Sequence, residues 1–531
     1  MRKYVRFIKG LHDFFTTRLE PEAAIEQARG LLKERIGRRE QNFLQLLRTG
    51  VFGYARSPYL RLLRSRKIGF DDIKQWTERE GIEEALETLR REGVYFTVDE
   101  FKGKVPVERN GEHFVCAESR FDNPFLSAAY EVRSGATRSA GTRIRIDFDY
   151  LVQRSLYDAF LLDIHDSLNA PIANWFPVFP GAPGINSSLR FSHIGNPPRE
   201  WFSQVDEAQL KVNWEKRWGT WLIFTAARLY GVPLSRPRFT SLNYAHEVAA
   251  WASSMLDRHP HCVVYTFATS AVRVCIAARE AGLNLAGTRF LVTGETLTPQ
   301  KKKEIESAGA RAVPVYGISE AGVVAAGCHA QPRQHCDDCH VYKDTTAVIA
   351  HRHRVPYFDR EVDSFLFTTL LYESPKLLLN VGMGDYGVVS KREDTCPFGR
   401  LGFDTHISSI RSYEKLTGEG VTFVDTDFIR IVELELPRRF GGQSTDYQLV
   451  QEEDTKGLNR YRLLVSPRVG EVDEDGVVEA FIGLLKSARQ SPESWAQSGS
   501  EMWHQARTVR VKREFPQATR SGKILPFHVA G

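Results

Sequence analysis

The amino-acid sequence predicts an α/β protein in two parts. A large N-terminal domain has mixed or parallel sheets flanked by helices, and a small C-terminal domain is α+β. Three observations carry this reading. The chain has 531 residues, more than one hydrophobic core organises, so it divides into domains. From about Phe125 to Arg411 helical patches alternate with short β-rich runs, the order that builds parallel sheets. After Arg411 the pattern changes to clustered strands followed by a helix. The boundary is therefore placed between residues 410 and 411, with 411–531 the small domain and residues 1–120 a helical entry region.

The elements follow in order. Ile25, Ala28, Leu32, Ile36, Phe43 and Leu47 recur at helical spacing between Ala23 and Leu47, as in an amphipathic helix. A second helical patch covers Ile82 to Leu89, and Gly93 to Thr97 reads as extended. The clearest unit runs Arg289 to Gly294 as strand, then helix, then Arg311 to Tyr316 as strand. Its helix is punctuated by Thr298 as cap, Pro299 in the first turn and Gly309 at the end. In the small domain, Val421 to Glu435, Tyr447 to Val450, Tyr461 to Val465 and Thr508 to Lys512 read as strands. Gly476 to Arg489 reads as helix and the polar Gln490 to Ser500 stretch as a loop.

Composition excludes several function classes. Hydrophobic residues make up 42% and charged residues 26% of the chain, an ordinary globular balance. The net charge of +5, from 71 basic and 66 acidic residues, is too small and too dispersed to argue for nucleic acid. Arg2, Lys3, Arg6 and Lys9 read as a solvated basic terminus, with no apolar signal core behind them. No run approaches the ~18 apolar residues of a membrane span. Seven cysteines, an odd number in a long chain, argue against a disulfide framework and for a cytoplasmic setting.

Three motifs carry chemistry. Tyr316-Gly317-Ile318-Ser319-Glu320 stands at the end of a buried strand, where ligands of α/β sheets gather. There Tyr316 can stack on a purine, Ser319 can bond a phosphate oxygen and Glu320 can hold Mg²⁺ against it. Gly382-Met383-Gly384-Asp385 lets backbone approach a ligand closely, and the Asp385 carboxylate can accept both hydroxyls of a ribose. Ser521-Gly522-Lys523 puts a lysine on a glycine-flanked loop. Its ammonium can stabilise charge developing during acyl-phosphate formation.

In order and spacing these motifs resemble the superfamily of acyl-CoA synthetases, peptide-synthetase adenylation domains and luciferases. Within it the chain looks most like the phenylacetate–CoA ligase branch. Leu291 to Thr298, Tyr316 to Gly322, Ser364 to Leu370, Gly384-Asp385 and Ser521 to Lys523 carry the likeness. Cys396-Pro397-Phe398-Gly399-Arg400 is similar to that branch's Cys-Pro-Cys-Gly-Arg, with Phe398 in the place of its second cysteine. The resemblance implies that Gly294, Glu295, Thr296 and Tyr316 line an adenine pocket, with Gly317 beside them. It implies that Ser319 touches phosphate, Glu320 binds Mg²⁺ and Asp385 takes the ribose. Arg411 then matches the arginine at the hinge between the domains, and Lys523 is the adenylation lysine.

Two positions depart from the pattern. The nearest phosphate loop is Arg133 to Thr142, offering Ser134 and Thr137, but Arg138 and Ser139 occupy the glycine and lysine places. The hinge reads Ile410-Arg411-Ser412-Tyr413, so either Glu414 or Lys415 serves as pivot. The cysteines add a further expectation. Cys336 and Cys339 have the spacing by which two thiolates share one tetrahedral zinc. Cys328 and Cys396 complete a four-sulfur structural site, with His340, His335 or His329 as an alternative ligand. Cys116, Cys262 and Cys275 sit among apolar residues and read as core.

The expected activity is ATP- and Mg²⁺-dependent conversion of a small carboxylic acid to an acyl-adenylate, then transfer to a thiol, coenzyme A or a carrier protein's arm. A second reading passes the acyl group to a partner protein or an amine. A third, a non-catalytic nucleotide-binding relative, has no evident need for Glu320, Asp385 and Lys523 together.

Overall fold

The structure is a computed structural model. It describes residues 2–126, 130–133, 142–178, 183–206, 214–329, 335–354, 361–412, 415–418, 421–424, 430–487, 495–517 and 526–529. Two hairpins come first, β1 (Val107–Arg109) with β2 (Glu112–Phe114) and β3 (Tyr130–Arg133) with β4 (Arg143–Ile146).

The centre is a sheet of twelve strands. Its parallel half contains β5 (Ile172–Trp175), β6 (Glu200–Ser203), β7 (Pro237–Phe239), β8 (Cys262–Phe267), β9 (Thr288–Thr293) and β10 (Arg311–Ile318). Their spatial order is β7-β6-β5-β8-β9-β10. The antiparallel half contains β11 (Gly322–Ala326), β12 (Cys339–Val341), β13 (Thr346–Arg354), β14 (Glu361–Thr369), β15 (Val381–Lys391) and β16 (Thr405–Ser412), ordered β11-β12-β16-β15-β14-β13 outward from β10.

Strand β10 belongs to both halves. Arg311 to Pro314 pair parallel with Arg289 to Val292 of β9, and Val315 to Ile318 pair antiparallel with β11. The changeover falls at Pro314, which has no N–H to offer a ladder. The alternation expected as far as Arg411 thus holds through β10 and ends there. Beyond it the strands follow one another without crossover helices among the described residues, because antiparallel neighbours need only turns.

Each half has its own cover. Strands β5 and β8 are buried along their whole length and β9 along all but its last residue, as expected where helices lie on a parallel sheet. Trp175, Phe176 and Phe191 are fully buried in this core. So are Cys262 and Cys275, while Cys116 lies in the neighbouring core. The antiparallel half packs Phe365, Phe367 and Val381 against the entry region's Tyr59, Leu86 and Phe96. Tyr59 ties the two together: its hydroxyl donates to Leu377 O at 3.0 Å and accepts from Leu379 N at 2.9 Å.

The C-terminal part pairs β17 (Lys415–Gly418) with β18 (Val421–Val424). It then forms a second sheet from β19 (Tyr447–Glu453), β20 (Asn459–Val465), β21 (Val509–Lys512) and β22 (Phe527–Val529), ordered β21-β20-β19-β22.

Two expectations are corrected. Of the strand read over Val421 to Glu435, Val421–Val424 is strand, whereas Ile431 to Phe440 is helical with Ile431, Val432 and Leu436 buried together. The polar stretch read as a loop to Ser500 is helix from Trp495 to Gln505. Its Trp503 ring stacks on Tyr461 at 4.6 Å, so a few large apolar anchors outweigh the Ser and Gln around them. The basic terminus keeps Arg6 and Lys9 exposed on a helix, Arg2–Thr16, whose other face buries Phe7, Leu11 and Phe14. Among the described residues no helix is long and apolar enough to cross a membrane.

Two predictions follow from the packing. Gly322 has φ of +83°, and a Cβ there would lie 1.7 Å from Tyr150 Oη. Gly322→Ala is expected to cost roughly 2–4 kcal/mol from overpacking and strain together, measured by urea unfolding. Adding Tyr150→Phe should recover part of that loss, and no recovery would refute the clash. Burial holds His165 and His193 down at about 4, below the ordinary 6.5. Between those values the unfolded chain binds the extra protons. Stability should therefore fall as pH drops from about 6.5 towards 4, seen as a lower urea midpoint at pH 5 than at pH 7.

Candidate functional site

Four segments far apart in sequence meet beyond the carboxyl ends of β9 and β10. Thr296, just after β9, donates its hydroxyl to Ile410 O of β16 at 2.9 Å. Tyr316 of β10 donates to Asp385 Oδ2 of β15 at 2.8 Å. Asp385 and Ser412 are register partners across β15 and β16, as are Tyr386 and Arg411. The 294–296 loop, the Tyr316 motif, Asp385 and Arg411 thus form one neighbourhood.

Within it Tyr316 is aimed by a bulge. The register with β11 shifts between Tyr316 and Gly317, which turns the strand's side chains at its end. The ring lies nearly parallel over Phe367, 6.3 Å between centroids. Burial, with the adjacent negative charges of Asp385 and Glu320, pushes the Tyr316 hydroxyl far above its ordinary range. It therefore remains a donor to Asp385 at all working pH.

Ser319 is exposed in the turn that follows, whereas Glu320 is only 6% exposed. Among the described residues no hydrogen bond or ion pair holds the Glu320 carboxylate. A nearly buried, unpartnered carboxylate is costly unless something positive meets it. Glu320 is therefore the candidate cation ligand.

Glu295 differs from expectation. Its carboxylate turns inward and accepts from Thr269 N at 2.8 Å and Thr269 Oγ1 at 2.5 Å, in the first turn of the Ala268–Ala281 helix. Negative charge is favourable at such an end, so the side chain anchors a helix and only its backbone can face a ligand. Arg411 donates to Ile410 O at 2.8 Å and stands 3.6 Å from Asp337.

Sequence reasoning missed Asp337 and Lys301. Asp337 accepts from Ser409 N at 3.0 Å and Ile410 N at 2.8 Å, holding the β16 backbone where Ser409 takes φ of +54°. Lys301 is 1% exposed and donates to Thr296 O at 3.3 Å and to Asn459 Oδ1 of β20 at 3.1 Å. Nearby, Thr298 donates to Glu453 Oε1 at 2.8 Å and Gln300 to Thr455 O at 2.5 Å. The β19–β20 turn thereby docks on the start of the Pro299–Ser307 helix. One lysine of three in a row, Lys301 to Lys303, carries no sequence mark of such a role.

Ser134 and Thr137 of the phosphate loop, Tyr413 and Glu414 of the hinge, and Lys523 lie outside the described residues. The chain on either side of the Lys523 segment is anchored to β19. Gln448 exchanges two hydrogen bonds with Gln517, at 2.7 and 3.0 Å. On the far side β22 pairs parallel with β19, Phe527 opposite Leu449.

The cysteines do not assemble as their spacing implied. Cys336 Sγ lies 2.9 Å from Leu297 O, and Cys339 is buried facing Pro314 O at 3.7 Å. Cys339 lies in β12, and the extended backbone there sends it to a different face from its sequence neighbour His340. Cys328, His340 and Cys396 instead converge, their ligand atoms all within 4.8 Å of one another.

No protein-family profile and no curated protein matches the sequence. Among solved structures the chain is similar to 2-hydroxyisobutyryl-CoA ligase in complex with 2-HIB-AMP and CoA. The TM-score is 0.51 at 13% identity, over 93% of this chain and 90% of that one. The chain has the fold of adenylate-forming enzymes. Lesser likenesses are to o-succinylbenzoate CoA synthetase from Bacillus subtilis (TM-score 0.42, 11% identity, 75% of this chain and 68% of that one). A variant of an amide bond synthetase from Marinactinospora thermotolerans gives 0.41 at 13% identity, with the same coverage.

Tyr316→Phe removes the donor to Asp385. Leaving a buried carboxylate short of one hydrogen bond should cost about 1–3 kcal/mol in urea unfolding. A change within about ±0.5 kcal/mol, the range of a surface substitution, would mean that the bond does not matter.

Proposed function

We propose that this chain activates a small carboxylic acid with ATP, forming an acyl-adenylate and pyrophosphate, and then passes the acyl group to coenzyme A. The observation that carries the proposal is the Glu320 carboxylate, nearly buried and without a partner among the described residues, beside the Tyr316–Asp385 pair. The shared fold supports it, since the ligase that the chain resembles is seen with 2-HIB-AMP and CoA.

In this reading the acid's carboxylate attacks the α-phosphorus, and the bond to the leaving pyrophosphate breaks. Ser319, exposed in the turn, donates a hydrogen bond to a phosphate oxygen. Asp385, held by Tyr316, accepts from the ribose hydroxyls, and Gly294, Thr296 and Gly317 border the adenine through backbone and small side chains. Mg²⁺ would neutralise triphosphate charge, and Glu320 is the residue that fits it, a carboxylate oxygen being a hard ligand for a hard cation. Lys523 would place its ammonium on the oxygens that gain charge during adenylation. Arg411, at the carboxyl end of β16, would mark the hinge about which the C-terminal part reorients for thiol transfer. The likeness to the phenylacetate–CoA ligase branch favours an aromatic or medium apolar acid.

Lys523→Ala should lower ATP–pyrophosphate exchange roughly 10²–10³-fold, as loss of one transition-state donor does. Glu320→Gln should lower it too and raise the Mg²⁺ concentration for half-maximal rate. Exchange at the wild-type rate in the lysine variant would sink the assignment. Pyrophosphate release across aromatic, aliphatic and amino acids, each with and without coenzyme A, tests the acceptor. Turnover that ignores coenzyme A but responds to an amine or a carrier protein would replace the thiol step with that acceptor.

A further inference from the structure

The Cys328–His340–Cys396 cluster plays no part in the adenylation chemistry proposed above. All three side chains are buried, at 6%, 1% and 3% exposure. They come from the loop after β11, from β12, and from the cap of the Pro397–Arg400 turn. Tetrahedral zinc with bonds of about 2.0–2.3 Å needs ligand atoms about 3.3–3.8 Å from each other. His340 Nε2 stands 3.3 Å from Cys396 Sγ and 3.7 Å from Asp394 Oδ2.

The surroundings fix the protons in the same sense. His340 Nδ1 lies 2.8 Å from Phe403 O, a pure acceptor, so Nδ1 carries the hydrogen and the Nε2 lone pair faces the cluster. Gly399 N–H donates to Cys396 Sγ at 3.4 Å, favouring the thiolate. Position 399 must be glycine for that loop to close, because a Cβ would lie 1.9 Å from Asp394 O. Phe398 stacks on the His340 ring at 4.9 Å and is fully buried. It shields the site from water while offering no ligand.

Asp394 and His406 group with His340 but not with the two cysteines, so the cluster itself supplies three ligands. Arg392 Nη2 lies 2.6 Å from His406 Nδ1. Arginine only donates, so Nδ1 is the acceptor and the His406 hydrogen sits on Nε2. That nitrogen faces Asp394 Oδ2 at 3.2 Å. The contact is one of proximity only, since His406 Nε2 makes no hydrogen bond among the described residues.

We infer that Cys328, His340 and Cys396 together hold a structural zinc ion, and that Cys336 and Cys339 take no part. Zn²⁺ displaces the remaining thiol protons to solvent on binding and undergoes no redox change. The site links the β11 end, β12 and the 394–399 loop, and it stands or falls independently of the adenylation reading.

The full chain, purified from zinc-supplemented culture, should carry one zinc per chain by plasma emission. Titration of thiols with a mercurial should release it. Cys336→Ser and Cys339→Ser should keep the metal, while Cys328→Ser and Cys396→Ser lose it. Should the latter pair fail to fold, cobalt-substituted wild type decides, through thiolate-to-cobalt charge-transfer absorption and intense tetrahedral ligand-field bands. The inference is overturned by metal-free protein, by a Cys328–Cys396 disulfide, by metal lost in Cys336→Ser but kept in Cys396→Ser, or by octahedral cobalt without sulfur absorption.

Discussion

The arrangement of this protein depends on one strand having two kinds of neighbour. β10 gives its first residues to a parallel ladder with β9 and its last to an antiparallel ladder with β11. Pro314 sits at the changeover, where a missing N–H removes a ladder bond that neither pairing then needs. A helix-covered sheet and a meander covered by the N-terminal region are thereby joined into one surface without a break. The Tyr316 motif stands where they meet, open to side chains from both.

That position explains how the site is held. A loop from the parallel half is tied to β16 by Thr296, and Tyr316 is tied to β15 by Asp385. Asp337 secures the backbone at Ser409 and Ile410, next to the residue proposed for the hinge. The same region receives the β19–β20 turn through Lys301, Thr298 and Gln300. These are mostly single hydrogen bonds, each contributing on the order of 1 kcal/mol. Such contacts hold one docking of the C-terminal sheet without welding it.

Much of the fold was legible because its signals are local. The Thr298 cap, Pro299 and Gly309 delimit a helix by backbone chemistry alone, and the observed Pro299–Ser307 helix lies inside them. The paired strands β19 and β20 and the following helix also came through, since their apolar periods are strong. The helix at Trp495 and the helical Ile431 to Phe440 segment did not. In each, a few large residues find partners far away in sequence, and local composition cannot register that. Glu295 is the clearest case in the site: an acid after a strand reads as a ligand, yet Thr269 claims it.

The sequence by itself determined which residues could do chemistry: a hydroxyl and a carboxylate after a strand, an acid between glycines, a lysine on a small-residue loop, and cysteines near histidines. Their types and order are enough for that, because acidity and donor capacity belong to the side chain. Tertiary structure alone decided which of them act together. It left Glu320 without a partner among the described residues, gave Asp385 to Tyr316, turned Glu295 inward, and brought His340 rather than Cys336 and Cys339 to Cys328 and Cys396. The physical reason is that spacing in sequence measures distance along a strand or loop. Ligation and hydrogen bonding depend on distances across the sheet, which only the pairing of β10, β12, β15 and β16 sets.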